Sequence, residues 1–301
     1  MVPPSEMPAA RSDYFDYLQG LRAFELEAAL PWLPARGRIL EVGAGAGWQA
    51  SYMAERGREV IAVDVEDSEY EGARMWPVLL YDGQRLPFAA ASFDAIFSSN
   101  VLEHVADLDT LQAELLRVLR PDGVAVHVLP SAAFRFWSNV NFYPYAAKLV
   151  VSRAVTRICG RRGAARWENP LLTRKYEQRS SIIRKLLRPV PSAHGIRGNC
   201  LSELFYFSRL FWVPLFERTG WRLKARFATG LYYAAFSLFT SRMGIGLRRK
   251  LSRILGSGCA VYVLAPRAAR HEPRGCPGRQ PDAPDRPAVR GTDRCPRRGR
   301  T

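Results

Sequence analysis

The chain has 301 residues, of which 48% are hydrophobic, enough to bury the core of one large α/β domain or two small ones. Its net charge of +16 is unevenly divided, because residues 1–130 hold 10 basic and 20 acidic side chains whereas residues 131–265 hold 24 and 4. Five widely spread cysteines without a CxxC pair argue against a disulfide framework or a cysteine-ligated zinc site, and no apolar run is long enough to predict a membrane-spanning helix.

The first predicted strand is followed directly by a glycine-rich turn. Residues 14–32 have a rough helical spacing of apolar side chains, and the apolar run from Ile39 to Val42 predicts a buried strand. Residues 49–56 predict a helix, and the turn before it contains Gly43, Gly45 and Gly47. A strand, a glycine turn and a helix begin a βαβ unit, in which a nucleotide-like ligand binds at the exposed helix N-terminus.

The spacing of the glycines narrows the kind of ligand. A dinucleotide fingerprint has glycines at relative positions one, three and six. Here the glycines fall at one, three and five, and Trp48 occupies position six. Glu41 stands two residues before the first glycine, where a carboxylate disfavours a diphosphate and favours a cationic amino-acid ligand. An NAD-dependent oxidoreductase is therefore the disfavoured interpretation.

An acidic residue ends the second predicted strand. Residues 59–64 form a β-branched run that closes with Asp64, 21 residues after Gly43. A carboxylate at this strand end accepts hydrogen bonds from both ribose hydroxyls of a bound nucleoside. We therefore place Asp64 and its neighbour Val65 in the candidate cofactor site.

A second acidic residue follows the third predicted strand, residues 78–81. Asp82 is able to accept a hydrogen bond from an exocyclic amino group of a base, while Gly83 and Gln84 offer backbone contacts. The alternative interpretation of Asp82 is a residue that caps its own turn.

Two further strands and a helix are predicted before residue 130. Residues 92–100 predict a fourth strand that ends at Asn100, and residues 124–130 predict a fifth. Between them, residues 107–119 carry leucines at helical spacing, and the turn at residues 120–123 ends that helix.

These motifs, in this order, resemble those of the class I S-adenosylmethionine-dependent methyltransferases. The residues that carry the resemblance are Glu41 with the three glycines, Asp64, Asp82 with Leu86-Pro87-Phe88, Leu102-Glu103-His104-Val105, and Arg117 to Gly123. The last two motifs look like the small-molecule branch called methyltransferase type 11, which usually has glycine where this chain has Asp122.

The resemblance covers residues 38–130 and implies both fold and cofactor. The expected fold is a Rossmann-like, seven-stranded, mostly parallel sheet with helices on both faces and a helical lid insertion. The expected cofactor is S-adenosylmethionine, with Asp82 at the adenine amino group. The cofactor-binding candidates are Glu41, Gly43, Gly45, Gly47, Asp64, Val65, Asp82, Gly83 and Asn100.

The resemblance thins beyond residue 130, but the remaining elements complete such a sheet. Residues 203–220 predict a helix, and residues 221–227 and 258–264 predict the last two strands. We expect one methyltransferase domain over residues 1–265, with a cofactor-binding core at 14–130, a lid or substrate insertion at 131–200 and C-terminal elements at 201–265. Residues 266–301 are dominated by Pro, Gly and Arg, a composition that predicts disorder.

Two histidines are the candidate catalytic residues. Methyl transfer needs a general base only when the acceptor must lose a proton. His104 lies where the acceptor should approach, and His194 lies in the predicted lid; each has a structural role as its alternative interpretation. We expect His127, inside a strand, to be structural, and we predict no metal site.

The basic second half of the chain suggests an anionic partner. Residues 147–158 have one apolar helical face, with arginines away from it and aromatic residues just upstream, a pattern that suits a membrane interface or a lipid-linked anionic substrate. The apolar segment 227–240 predicts a buried strand and hairpin or an interfacial segment. An ordinary lid helix with a solvated arginine face is the alternative for residues 147–158.

The leading hypothesis is a methyltransferase for a small-molecule acceptor, including one linked to a lipid or glycan at the membrane surface. The other possibilities are an RNA-directed methyltransferase and a non-catalytic scaffold that binds the cofactor. No Asn-Pro-Pro-Tyr type motif follows the fourth strand, which argues against enzymes that methylate DNA bases or glutamine. We expect a cytoplasmic protein with peripheral contact to an anionic inner membrane through residues 131–165, and nucleic acid stays open as a partner.

Overall fold

A computed structural model of the chain describes residues 9–66, 74–159, 190–235 and 243–267. In chain order its main elements are α1 (Ala9–Ala29), β1 (Arg38–Val42), α2 (Trp48–Ala54), β2 (Glu59–Val65), β3 (Val78–Tyr81), β4 (Phe93–Ser99), α3 (Leu108–Val118), β5 (Leu119–Pro130), α4 (Ala132–Cys159), α5 (Glu203–Tyr206), α6 (Arg209–Arg218), β6 (Trp221–Ala228), α7 (Ile245–Leu255) and β7 (Cys259–Pro266).

The seven strands form one sheet in the order β3-β2-β1-β4-β5-β7-β6. The first five strands are parallel, whereas β7 runs antiparallel to both β5 and β6. The prediction of a Rossmann-like, mostly parallel, seven-stranded sheet is therefore confirmed. The strand order reverses between β1 and β4, and the carboxyl ends of strands at such a reversal form the crevice in which α/β sheets bind ligands.

Helices cover both faces of the sheet, as predicted. One buried apolar cluster joins the sheet to α3 through Leu111 and Leu115 and to α6 through Trp212. The other joins it to α1 through Leu26 and to the start of α4 through Phe134. Burial of apolar side chains on both faces is the main favourable contribution to folding of such a sheet.

Several predicted boundaries are wrong, for local reasons. Strand β5 begins at Leu119 rather than at residue 124, because Leu119 already pairs with Phe93 before a bulge shifts the register to Ala95 and Val124. The predicted helix over residues 203–220 is two helices, because the extended Ser208 caps a new helix by accepting a hydrogen bond from the Leu210 N–H.

The segment after the fifth strand also differs from its prediction. The aromatic residues that we placed upstream of a helix belong to that helix, since α4 is continuous from Ala132 and contains Pro144. Beyond β6, residues 229–235 form no strand, residues 236–240 of the predicted apolar segment lie outside the described residues, and α7 was not predicted.

The domain boundaries and the lid role of residues 131–200 stay predictions, because residues 160–189 lie outside the described part of the chain, as does the tail from residue 268. Among the described helices, none is both long and apolar enough to cross a bilayer.

Candidate active site

The glycine turn after β1 is held tightly against the neighbouring strands. The N–H groups of Gly43 and Ala44 both donate to the Val63 carbonyl, at 2.9 and 3.0 Å. Gly43 has φ +71°, and a Cβ there would lie 2.4 Å from Val101 Cγ2. At Gly47, with φ +76°, a Cβ would lie 2.5 Å from the Cβ of Trp76. Side chains are therefore excluded from both positions, and glycine is what allows the turn to pack against Val101 and Trp76.

The Glu41 carboxylate is buried beneath this turn and is incompletely hydrogen-bonded. The residue is 2% exposed, and its Oε2 has no hydrogen-bond partner among the described residues. Burial, together with the nearby Asp64 carboxylate, raises the pKa of Glu41 to about 8. A buried carboxylate oxygen without a partner is costly, and a cationic group placed beside it would stabilise its charged form.

Asp64 braces the turn from the end of β2. Its Oδ2 accepts a hydrogen bond from the Gly45 N–H and its Oδ1 accepts one from the Val65 N–H, both at 2.9 Å. The side chain is nearly buried at the carboxyl edge of the sheet, one strand away from Glu41. It thus links the glycine turn to the strand end at which a ribose was predicted.

Asp82 caps its own turn, as its alternative interpretation stated. Its Oδ1 accepts hydrogen bonds from the N–H groups of Gln84 and Arg85, at 2.8 and 2.9 Å, and these bonds lower its pKa. The residue is exposed and follows Tyr81, the register partner of Val65. A Cβ at Gly83 would lie 3.4 Å from Val65 Cγ1, so Val65 and Gly83 are neighbours at this edge. Capping leaves the adenine role of Asp82 a prediction.

Asn100 occupies the strained position that ends β4. Its φ is +56°, in the left-handed region that non-glycine residues seldom adopt. Its N–H donates to the Val128 carbonyl at 2.8 Å, and its Oδ1 lies 3.5 Å from the Cys259 Sγ. These contacts hold the turn after β4 against β5 and β7.

The two candidate catalytic histidines, 90 residues apart in sequence, lie together next to this turn. The rings of His104 and His194 have centroids 5.4 Å apart. Both side chains are exposed, and His104 Nε2 lies 3.8 Å from the buried Oε1 of Glu103. Burial raises the pKa of Glu103 to about 8. His127, by contrast, is buried in β5 against the Ser98 hydroxyl, and burial lowers its pKa to about 3, which fits its predicted structural role.

A buried ion pair, missed in the sequence analysis, holds His194 in place. Arg135 of α4 lies 3.0 Å from Glu203 of α5, and both side chains are almost fully buried. The Glu203 carboxylate accepts hydrogen bonds from the backbone N–H groups of His194 and Gly195. Arg135 also donates to the Ser192 carbonyl at 2.7 Å. The pair therefore fixes the segment that carries His194 to two helices.

A second missed cluster lies behind Asn100. Tyr233 donates a hydrogen bond to Glu25 at 2.5 Å and lies 2.8 Å from Cys259 Sγ, while Arg22 pairs with Glu25 at 2.6 Å. Burial raises the pKa of both Tyr233 and Cys259. The only sequence signal was an acid, Glu25, within the apolar pattern of the first helix.

The cofactor-side residues fit S-adenosylmethionine. Glu41 offers a buried carboxylate oxygen without a partner, the charge that the ammonium group of an amino-acid ligand requires. The glycine turn has two positions that exclude a Cβ, and Asp64 stands at the neighbouring strand end.

Comparison with known proteins points to the same chemistry. Residues 40–127 match the family described as methyltransferase domain. The chain is 34% identical over 151 residues to a biotin biosynthesis bifunctional protein of Cellvibrio japonicus, a match that covers 45% of this chain and 30% of that protein. It is 38% identical over 104 residues to an uncharacterized methyltransferase of Mycobacterium sp. (strain KMS), covering 33% and 41%.

The chain spans less than half the length of the curated relatives that it matches. Among solved structures, a possible histamine N-methyltransferase from Thermotoga maritima is 18% identical, with 84% of this chain and 90% of that chain covered and a TM-score of 0.44. S-adenosylmethionine is the expected cofactor of the matched domain. Over residues 40–127, the chain is therefore similar to the methyltransferase domains of S-adenosylmethionine-dependent enzymes.

Proposed function

We propose that this protein transfers the methyl group of S-adenosylmethionine to a small-molecule acceptor. The observation that carries the proposal is Glu41, a buried carboxylate with an unpartnered oxygen under a glycine turn that Asp64 braces. Such a site is built for a ligand that joins a cationic amino acid to a nucleoside. It is poorly built for a diphosphate, which the same carboxylate would repel.

The protein's part in this reaction is alignment. The cofactor supplies an electrophilic methyl group on a sulfonium centre. Glu41 would hold the ammonium end of the ligand, Asp64 would orient the ribose, and the turn at Asp82 would border the adenine. The acceptor would approach past Asn100 and His104, beside the segment that carries His194. In this proposal, either histidine would take a proton from an acceptor that must lose one.

Calorimetric titration with S-adenosylmethionine, beside NAD, tests the cofactor assignment. We expect binding of S-adenosylmethionine alone, weakened about tenfold or more by Asp64→Asn, since one lost charge-assisted hydrogen bond is worth about 1.5–3 kcal/mol. The matched control is Asp122→Asn, because Asp122 is an exposed acid near the amino end of β5, away from the carboxyl ends of the strands. This variant should leave the affinity unchanged. Binding of NAD, or equal affinities for both variants, would overturn the assignment.

We further propose that the acceptor is linked to a lipid or glycan at an anionic membrane surface. What supports this is an apolar stripe on α4, formed by Phe136, Val140, Tyr143, Ala147 and Val151, which are all exposed. Phe136 is 49% and Val151 is 61% exposed, and the spacing is that of one helix face. The stripe belongs to the half of the chain with 24 basic and 4 acidic residues. Apolar side chains within a basic region suit an anionic bilayer interface.

Sedimentation with vesicles tests the membrane proposal. Anionic vesicles should bind the protein and neutral vesicles should not, and Phe136→Ser with Val140→Ser should weaken the binding. Ile254→Ser is the matched control, since Ile254 is an apolar residue on α7 with 84% exposure. Equal loss in both variants would contradict a role for the stripe.

The acceptor class is tested separately, by following a labelled methyl group after incubation with a fractionated cell extract. Label in the lipid or lipid-linked glycan fraction supports the proposal. Label in the RNA fraction supports the RNA-directed alternative, and the absence of transfer by a cofactor-binding protein supports the scaffold alternative.

A further inference from the structure

Glu103, His104 and His194 bring three potential metal ligands together at the acceptor side of the site. One carboxylate oxygen and one nitrogen of each imidazole all lie within 4.8 Å of one another. Two histidines with one carboxylate are a set that binds zinc-like divalent ions and leaves one coordination position open. The ligands of a tetrahedral ion with bonds of about 2.1 Å are about 3.4 Å apart. The ligand atoms therefore need to approach one another by about 1.4 Å or less to surround such an ion.

Of the three potential ligands, Glu103 is the one whose side chain is buried. Its side chain is 1% exposed, and neither carboxylate oxygen accepts a hydrogen bond from another residue in the described part of the chain. Arg22 of α1 lowers the pKa of Glu103 and Glu25 of the same helix raises it. These two residues are paired with each other at 2.6 Å. Buried carboxylates are normally hydrogen-bonded, ion-paired or bound to a metal.

Backbone contacts next to His194 hold this residue close to Glu103. The Ile196 N–H donates to the Glu103 carbonyl at 3.2 Å, and a Cβ at Gly195 would lie 2.8 Å from that same oxygen. The segment carrying His194 thus lies directly on the turn that carries Glu103 and His104. The His194 ring also packs edge-on against Phe134, with centroids 5.1 Å apart. Ligands fixed by surrounding contacts are the usual design of a metal site.

We propose that Glu103, His104 and His194 bind a zinc-like divalent cation whose open position faces the acceptor. The effect on catalysis rests on the proposed methyl transfer: the cation would bind an acceptor hydroxyl, favour loss of its proton to solvent and so take over the role of a histidine base. The binding itself does not depend on the reaction, so the two proposals fail separately.

Titration of the chelator-treated full chain with Co²⁺, followed by its visible ligand-field absorption, tests the site. We expect one ion per chain in a low-symmetry nitrogen and oxygen environment, displaced by Zn²⁺ and not by Mg²⁺. His194→Ala and Glu103→Gln should each weaken Co²⁺ binding about tenfold or more, as loss of a metal-site residue commonly does. His271→Ala, which removes a histidine that the proposal does not use, should leave it unchanged.

Urea unfolding shows whether each variant remains folded, independently of cofactor binding. If Glu103→Gln fails to fold, the exposed pair His104→Ala and His194→Ala carries the test alone. The proposal is overturned if Co²⁺ fails to bind the folded protein, or if it binds equally well when both histidines are replaced.

Discussion

Glu41 shows how one residue reports on a ligand. The sequence placed an acid two residues before a glycine turn, and the fold buries that acid beside a second carboxylate, Asp64. One of its buried oxygens lacks a hydrogen-bond partner among the described residues, which costs stability, and proteins retain such groups mainly at functional sites. The residue therefore favours a cationic ligand on physical grounds that are independent of the family resemblance.

The raised pKa of Glu41 predicts pH-dependent cofactor binding. With a pKa of about 8, the free protein holds Glu41 protonated near neutrality, whereas an ammonium group favours the carboxylate. Binding should therefore release a proton, and affinity should rise by up to about tenfold per unit between about pH 6 and pH 7.5. Calorimetry in buffers of different ionisation enthalpy measures this release. Glu41→Gln should bind more weakly with a flat pH profile, and a slope equal to that of the parent would contradict the assignment.

Gly43 and Gly57 allow steric exclusion to be separated from backbone strain. Both have positive φ, +71° and +77°, but a Cβ at Gly43 would meet Val101 at 2.4 Å whereas a Cβ at Gly57 would meet nothing within 4 Å. Gly57→Ala should cost about 1 kcal/mol in free energy of unfolding, from the backbone alone. Gly43→Ala should cost about 1–3 kcal/mol more and should also weaken cofactor binding.

Urea unfolding and calorimetry measure these two effects. Equal losses in both alanine variants would mean that Val101 moves aside and that the turn tolerates a side chain at Gly43.

The buried ion pair between α4 and α5 holds the segment that carries His194 against these two helices. Arg135 and Glu203 lie far apart in sequence, and each also binds backbone groups of the segment that carries His194. Sequence periodicity gave no sign of this pair, because an ion pair between two helices depends on how those helices pack. The same is true of the break at Ser208, where a local cap overrides a continuous apolar pattern.

Removing the charge of Glu203 should therefore loosen this segment. Glu203→Gln leaves the Arg135 guanidinium buried without a counter-ion and should cost about 3 kcal/mol or more in free energy of unfolding. Asp109→Asn is the matched control: the Asp109–Arg218 pair has a similar distance of 2.8 Å but is largely exposed, so its loss should cost about 1 kcal/mol or less.

Hydrogen exchange gives the more specific readout for this pair. The amides of His194 and Gly195 donate to Glu203, so they should exchange faster in Glu203→Gln and be unchanged in Asp109→Asn. Unchanged protection in both variants would show that the segment is held by other contacts.

In the described part of the chain, all the strands and both clusters of buried apolar residues lie within residues 21–266. Residues 268–301 contain a single large aliphatic residue, Val289. Removal of residues 268–301 should therefore leave both the midpoint of thermal unfolding and the affinity for S-adenosylmethionine unchanged, because little apolar area is available there to bury. A lower midpoint in the shortened chain would show that this segment packs on the domain.

The chain alone was sufficient to predict the sheet and to nominate the candidate cofactor residues. Strand runs, the glycine spacing, Glu41 and Asp64 are local patterns, and parallel strands necessarily bring their carboxyl ends to one edge. The contacts around the two candidate catalytic histidines could not be predicted in this way, because they depend on tertiary structure. His104 meets His194 across 90 residues, and Arg135 meets Glu203 across 68, so neither pairing leaves a local signal. Packing of α4, α5 and the segment before α5 onto the sheet decides those contacts, and no spacing within the sequence encodes that geometry.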